Sequence, residues 1–162
     1  MKKLIIPLAI SSLLLLTSLQ KLNAQVNLET VTIRGDATKA IITEKVSNSF
    51  SSLFKDAKEP QWLVVNKRYV VNFILDDQRN KAVFTKNGEL VYHLSYGTEK
   101  NVPDQILKKI QSEYEGYTLG SAIKVTTKEK MLWMLNLENS KQILIIRATE
   151  EEMGVIDRIK KS

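Results

Sequence analysis

Cysteine is missing from the sequence altogether. Its absence excludes disulfides, thiolate metal sites, a cysteine nucleophile and a lipid attached to cysteine behind a signal segment. An exported chain of this kind must hold together by its core alone. Histidine occurs once, at His93. A zinc site needs three or four nitrogen or sulfur ligands, or carboxylates gathered around them, and one histidine gives it little to build on. A Ser–His–acid triad would have to use His93, yet no Gly-x-Ser-x-Gly elbow exposes a serine for it. Asp76-Asp77 and Glu150-Glu151-Glu152 are the evident carboxylate clusters. Both lie between extended segments, where solvated turn acids are expected, and neither fits the twelve-residue calcium loop. Gly116-x-x-x-Gly120 is followed by no Lys-Ser/Thr pair, so it reads as a loop after a helix and not as a phosphate cradle. No cofactor or metal is expected.

Long apolar runs are scarce as well. Leu4 to Leu19 is largely apolar, but Pro7 interrupts it and it falls short of the ~20 residues a spanning helix needs. With Lys2 and Lys3 before it and Leu22-Asn23-Ala24 after it, Met1 to Ala24 reads as a cleaved secretory signal. Lys21 is unusual near a cleavage site, and a retained anchor is the alternative. The expected product is periplasmic or secreted, unlipidated and free of the membrane. Taking 24 from the 162 residues leaves 138, one domain spanning residues 25–162 with length enough for a real core. Three of the 24 basic residues, Lys2, Lys3 and Lys21, leave with the signal; 21 then face 18 acidic ones. An excess of three gives no support to nucleic-acid binding, which shows a concentrated basic stripe.

What is present is a repeated pattern. Val26, Leu28, Val31 and Ile33 fit a strand or an extended lead-in. Asp36 stands as a helix cap, and Ile42, Val46, Phe50, Leu53 and Phe54 follow at helical spacing, with Pro60 ending the region. Trp62 to Val65, Tyr69 to Leu75, Lys81 to Thr85 and Glu89 to Leu94 then read as strands. Asn66–Arg68 and Asp77–Asn80 are the expected turns, and Asn87-Gly88 the expected tight hairpin. After a loop from Tyr96, Asn101 is placed to cap a second helix carrying Val102, Ile106, Ile110 and Tyr114. Ser121 to Thr127, Lys130 to Leu137, Lys141 to Ala148 and Val155 to Ile159 complete the chain as strands. Two helix–β-meander units, about 37–95 and 102–161, can be laid over one another: Phe54 on Tyr114, Tyr69, Val71 and Phe73 on Trp133, Leu135 and Leu137, and Gly88 on Gly154.

The run Phe54-x-x-Ala57-x-x-x-x-Trp62, Tyr69-x-Val71-x-Phe73, Ala82-x-Phe84, Asn87-Gly88-Glu89-Leu90, Pro103 and Ile110-x-x-x-Tyr114 resembles the PepSY-like group of exported bacterial proteins. Its members are also described as similar to β-lactamase inhibitor protein. The likeness covers about Val46 to Ile159. It implies an α+β fold of two copies, an antiparallel β-sheet with two helices packed on one face and the other face partly open. It also implies periplasmic residence and a non-enzymatic role, binding or restraining another protein. The inhibitor's stabilising cysteines have no counterpart here, nor does an inhibitory loop.

Two strands carry apolar residues on both parities. If Tyr69, Val71, Phe73, Trp133 and Leu135 face the helices, then Val70, Ile74, Leu132 and Met134 line the opposite face. An uncovered antiparallel face is normally polar, so an apolar one calls for a cover. A protein partner is the expectation, with Lys67, Arg68, Lys81 and Lys86 as a polar rim. The blander reading, favoured because large exposed apolar patches are uncommon on monomers, is that the N-terminal segment or a homodimer covers that face. A self-associating structural component, or a small envelope enzyme with an unrecognised site, are the remaining alternatives.

Overall fold

The computed structural model describes residues 41–161. The signal segment, the Val26 to Ile33 stretch and the Asp36 cap lie outside the described residues. The first cap within them is Thr43, whose Oγ1 accepts from Val46 N at 3.4 Å and opens α1, Glu44–Leu53. Four strands follow: β1 Lys58–Val65, β2 Arg68–Leu75, β3 Gln78–Phe84 and β4 Leu90–Gly97. A 3-10 turn, Glu99–Asn101, leads to α2, Asp104–Glu113, and then to β5 Thr118–Thr126, β6 Met131–Glu138, β7 Gln142–Ala148 and β8 Met153–Lys160. All eight strands form one antiparallel sheet in chain order.

Turn chemistry departs from the sequence expectation and explains the longer strands. Asn66-Lys67 and Asp76-Asp77 have φ of 49° and 62°, and 52° and 56°. Both are two-residue turns with paired positive φ, the hand that matches strand twist. Short polar residues tolerate that region best, which suits three of the four. The turns are therefore shorter than expected, and Arg68, Gln78, Arg79 and Asn80 belong to strands. Asn87-Gly88 does connect β3 to β4, but Thr85 O accepts from Gly88 N at 3.0 Å, closing a turn over Lys86 and Asn87. Gly88 alone takes positive φ, 85°, and a register shift falls at Val83/Phe84. This is a turn followed by a glycine bulge, not a two-residue hairpin.

Three other expectations are corrected. Pro60 does not end the helical region; it lies within β1, an edge strand, where its missing N–H breaks no ladder. Asn101 does not cap α2. Its Oδ1 accepts from Thr98 N at 2.9 Å and closes the 3-10 turn, while Pro103 occupies the α2 cap position. Tyr96 and Gly97 complete β4 rather than a loop.

The helices share one face of the sheet. Val46, Phe50 and Phe54 of the α1 region pack with Val71, Phe73, Ala82 and Phe84. Phe50 meets Phe73 edge-on at 5.1 Å and Trp62 at 5.2 Å. Leu53, expected on this stripe, is 54% exposed. Ile106 and Ile110 of α2 pack with Trp133, Leu135, Leu137, Leu144 and Ile146. Each fully buried large apolar side chain contributes about 1.5–3 kcal/mol. No residue belongs to both clusters.

Candidate functional site

Strand register assembles the second face of the sheet. One row across it runs Leu63, Val70, Val83 and Tyr92. The next runs Gln61, Asn72, Lys81, Leu94, Val125 and Leu132. A third runs Ile74, Arg79, Tyr96, Ile123, Met134 and Arg147. Both helices pack on the other face, so among the described residues no helix lies over these rows.

The four residues singled out from the sequence all fall on this face, Ile74 and Met134 in the same row. Their exposure differs. Val70 and Leu132 are buried, at 4% and 7%, with Val83 and Val125 between them in the sheet. Ile74 and Met134 are half-buried. Of the expected rim residues, Lys67 and Lys86 lie in turns and Arg68 opens β2, but Lys81 stands inside the face beside Asn72. Sequence reading missed Arg79, Tyr92 and Tyr96. Arg79 was assigned to a turn and Tyr96 to a loop. The paired positive-φ turn at Asp76-Asp77 is the signal that would have placed Arg79 in β3.

A groove of about 470 Å³ opens in this face near the β1 edge. Glu59, Gln61, Asn72, Ile74, Arg79, Lys81 and Tyr96 are among the residues that line it. Glu59 sits at φ 54°, where β1 loses register between Lys58 and Gln61. The Arg79 guanidinium lies over the Tyr96 ring, 5.9 Å from its centre. Burial raises the Tyr92 hydroxyl pKa, with Tyr96 adding to the effect and Arg68 opposing it.

His93 faces the helices and not the groove. Its ring stacks on Phe73 at 5.9 Å and lies 4.8 Å from Phe54. Asn80, itself 3% exposed, donates from Nδ2 to Leu75 O at 3.2 Å and Gln78 O at 2.8 Å. Its Oδ1 therefore faces His93 Nε2, 2.9 Å away. An acceptor there selects the neutral tautomer with its proton on Nε2. Burial, and then Lys124, lower the His93 pKa. A nearby pair links Ser95 Oγ to Gln78 Oε1 at 3.1 Å. The imidazole is thus occupied in joining two strands.

The carboxylate clusters have structural surroundings. Asp76-Asp77 forms a hairpin turn. In the loop before β8, Thr149 Oγ1 accepts from Glu152 N at 3.0 Å, and Lys109 Nζ donates to the carbonyls of Glu150 and Glu151. Among the described residues no group of three or more acidic or histidine side chains converges as metal ligands do. Among them, too, no helix is long and apolar enough to cross a membrane.

No family model matches the sequence, and no curated protein matches it. Solved structures match in fold. A DUF2874 family protein from Bacteroides ovatus superposes with a TM-score of 0.63 at 13% identity, covering 75% of this chain and 89% of its own. A BLIP-like protein from Bacteroides fragilis gives 0.61 at 13%, covering 73% and 85%. A candidate periplasmic protein of Bacteroides eggerthii gives 0.62 at 15%, covering 75% and 90%. The chain has the BLIP-like fold. At such identities the likeness is one of architecture, and activity does not follow from it.

Proposed function

We propose that the protein is an exported, non-enzymatic binding module that receives a protein partner on the second face of its sheet. One observation carries the reading: a face rich in valine, leucine, isoleucine and tyrosine with no helix on it among the described residues. Ile74, Leu94, Tyr96, Ile123 and Met134 are half-buried on it, and partly open apolar side chains of this kind are useful in an interface. The N-terminal signal features and the likeness to a candidate periplasmic protein support export. The engagement of His93 by Asn80 and two phenylalanines supports a role without bond chemistry. Each half of the chain runs helix then four strands, and β2 and β6 hold the residues matched above, which supports descent from one duplicated unit.

The structure chooses the test variants. Val70→Asp or Leu132→Asp would bury a charge and damage the fold. Ile74→Asp and Met134→Asp change half-buried positions. Affinity capture from periplasm by the mature chain should lose its specific partner in both variants, with thermal melting unchanged within a few degrees. Equal capture by wild type and variants rejects the face as the docking surface.

A second reading, self-association, is favoured by one asymmetry. Both edge strands are bulged, but the β1 edge is also closed by Pro60, whereas β8 holds no proline and carries Ile156 and Ile159 at 54% and 47% exposure. Unblocked edges pair with other strands. Light scattering separates the two: a concentration-dependent dimer abolished by Ile159→Lys supports self-pairing.

A further inference from the structure

The groove beside β1 differs chemically from the rest of the second face. Elsewhere that face is chiefly apolar; here Arg79 and Lys81 stand two residues apart on one strand, about 7 Å from each other along it and flanked by the Gln61 and Asn72 amides. The ion pairs among the described residues join Arg147 to Glu152 and Lys161 to Glu138, so neither groove cation is in one. Arg147, the other cation of the same row, is thereby answered by its own loop. The Arg79 guanidinium lies over the Tyr96 ring, 5.9 Å from its centre, and its fork of N–H groups suits a planar acceptor. Lys81 is half-buried, paired with Asn72 across β2 and β3. A cation held this way gains most from a carboxylate that arrives with the partner.

We propose that this groove takes an extended acidic segment of the protein partner, with carboxylates at alternate positions engaging Arg79 and Lys81. The inference rests on the reading of the second face as the docking surface. Alternate side chains of an extended chain repeat at the same ~7 Å spacing as the two cations. Gln61 and Asn72 supply donors and acceptors for the segment's backbone. Glu59, which lines the same groove, opposes the incoming charge and sharpens the requirement for both cations.

The probe is a fluorescein-labelled peptide of alternating glutamate and threonine, followed by anisotropy against the mature chain, with a lysine–threonine peptide as the control. The glutamate peptide alone should bind, and binding should weaken as salt rises from about 0.05 to 0.5 M. Arg79→Gln/Lys81→Gln should weaken it about tenfold or more, the scale of two lost charge-assisted bonds. Glu59→Gln should tighten it. Lys128→Gln/Lys130→Gln removes the same charge from the exposed β5–β6 turn and should leave binding unchanged. No binding, equal binding of both peptides, or equal loss in the two double variants overturns the proposal.

Two other occupants are tested alongside. Tighter peptide binding in Glu29→Gln/Asp36→Asn would assign the groove to the chain's own N-terminal segment. A dimer dissolved by the groove variants would assign it to a second copy. Either result overturns the acidic-partner proposal. A partner lost by Ile74→Asp but kept by Arg79→Gln/Lys81→Gln removes the acidic subsite and leaves the docking face standing.

Discussion

At the residue scale, the Asn80–His93 pair is a part-buried polar contact fixed from both sides. Asn80 spends both amide protons on backbone carbonyls across the β2–β3 turn and offers its oxygen to a neutral imidazole. Burial holds the folded-state pKa of His93 below its ordinary 6.5, and Lys124 pushes it the same way. The unfolded chain therefore takes up a proton first as pH falls. This contribution to stability is complete above 6.5, erodes below it, and stops eroding once the folded ring protonates too. Urea titrations at a series of pH values should show wild type losing more stability between neutral and acid pH than His93→Gln does. Parallel curves for the two proteins would mean that His93 titrates alike in both states. The same hydrogen bond leaves Nδ1 as the basic nitrogen of a ring packed beside Phe54 and Phe73.

Elements here are defined as much by their ends as by their interiors. The Gly88 bulge brings the β3–β4 connection against α1: a Cβ added there would lie 2.7 Å from Ser49 Oγ and 2.8 Å from Lys45 O. Since φ is also 85°, Gly88→Ala meets both backbone strain and a clash with main chain. We expect a loss of about 1–3 kcal/mol. The two-residue turns invite the opposite change. Lys67 at φ 62° and Asp77 at φ 56° are non-glycine residues in the left-handed region. Lys67→Gly and Asp77→Gly should each gain up to about 1 kcal/mol, relief of that strain less the added freedom of the unfolded chain. Shifts in the urea midpoint at constant slope test all three. A stabilised Gly88→Ala, or destabilised turn glycines, would contradict these dihedrals.

At the scale of the whole molecule, the described residues form one sheet carrying two separate cores. Cluster one rests on β1–β4 and α1, cluster two on β5–β8 and α2, and the halves meet where His93 to Gly97 pair with Thr126 to Ala122. The helix-side residues at that junction are mainly polar: His93, Ser95, Lys124 and Thr126. A seam with little apolar packing on its helix side is where subglobal opening should separate. Phe50→Ala, costing about 3–5 kcal/mol, should lower amide-exchange protection in β1–β3 well before β6 and β7. Ile106→Ala should do the reverse. Uniform loss across all eight strands in either variant would show that the sheet opens as a single unit. The same organisation leaves the second face continuous across both halves, so a docking partner would bridge them and stabilise the seam.

Period and breaker chemistry in the sequence determined the two amphipathic helices, the eight strands and their antiparallel class, because alternation and helical spacing are local properties of the chain. They also placed Val70, Ile74, Leu132 and Met134 on a common face, since parity along a strand fixes which side a residue takes. Strand limits were less legible. Asn66-Lys67 and Asp76-Asp77 carry no glycine, so the two-residue turns that return Arg68 and Arg79 to their strands leave little local trace. Pro60 likewise reads as a terminator until its place on an edge strand is known. Tertiary structure alone decided that Val70 and Leu132 are buried while Ile74 and Met134 remain partly open, and that Asn80 engages His93. It alone gathered Gln61, Asn72, Arg79, Lys81 and Tyr96, from four strands, around one groove. Exposure and cross-strand neighbours are set by register, which depends on turn geometry and packing summed over the whole sheet.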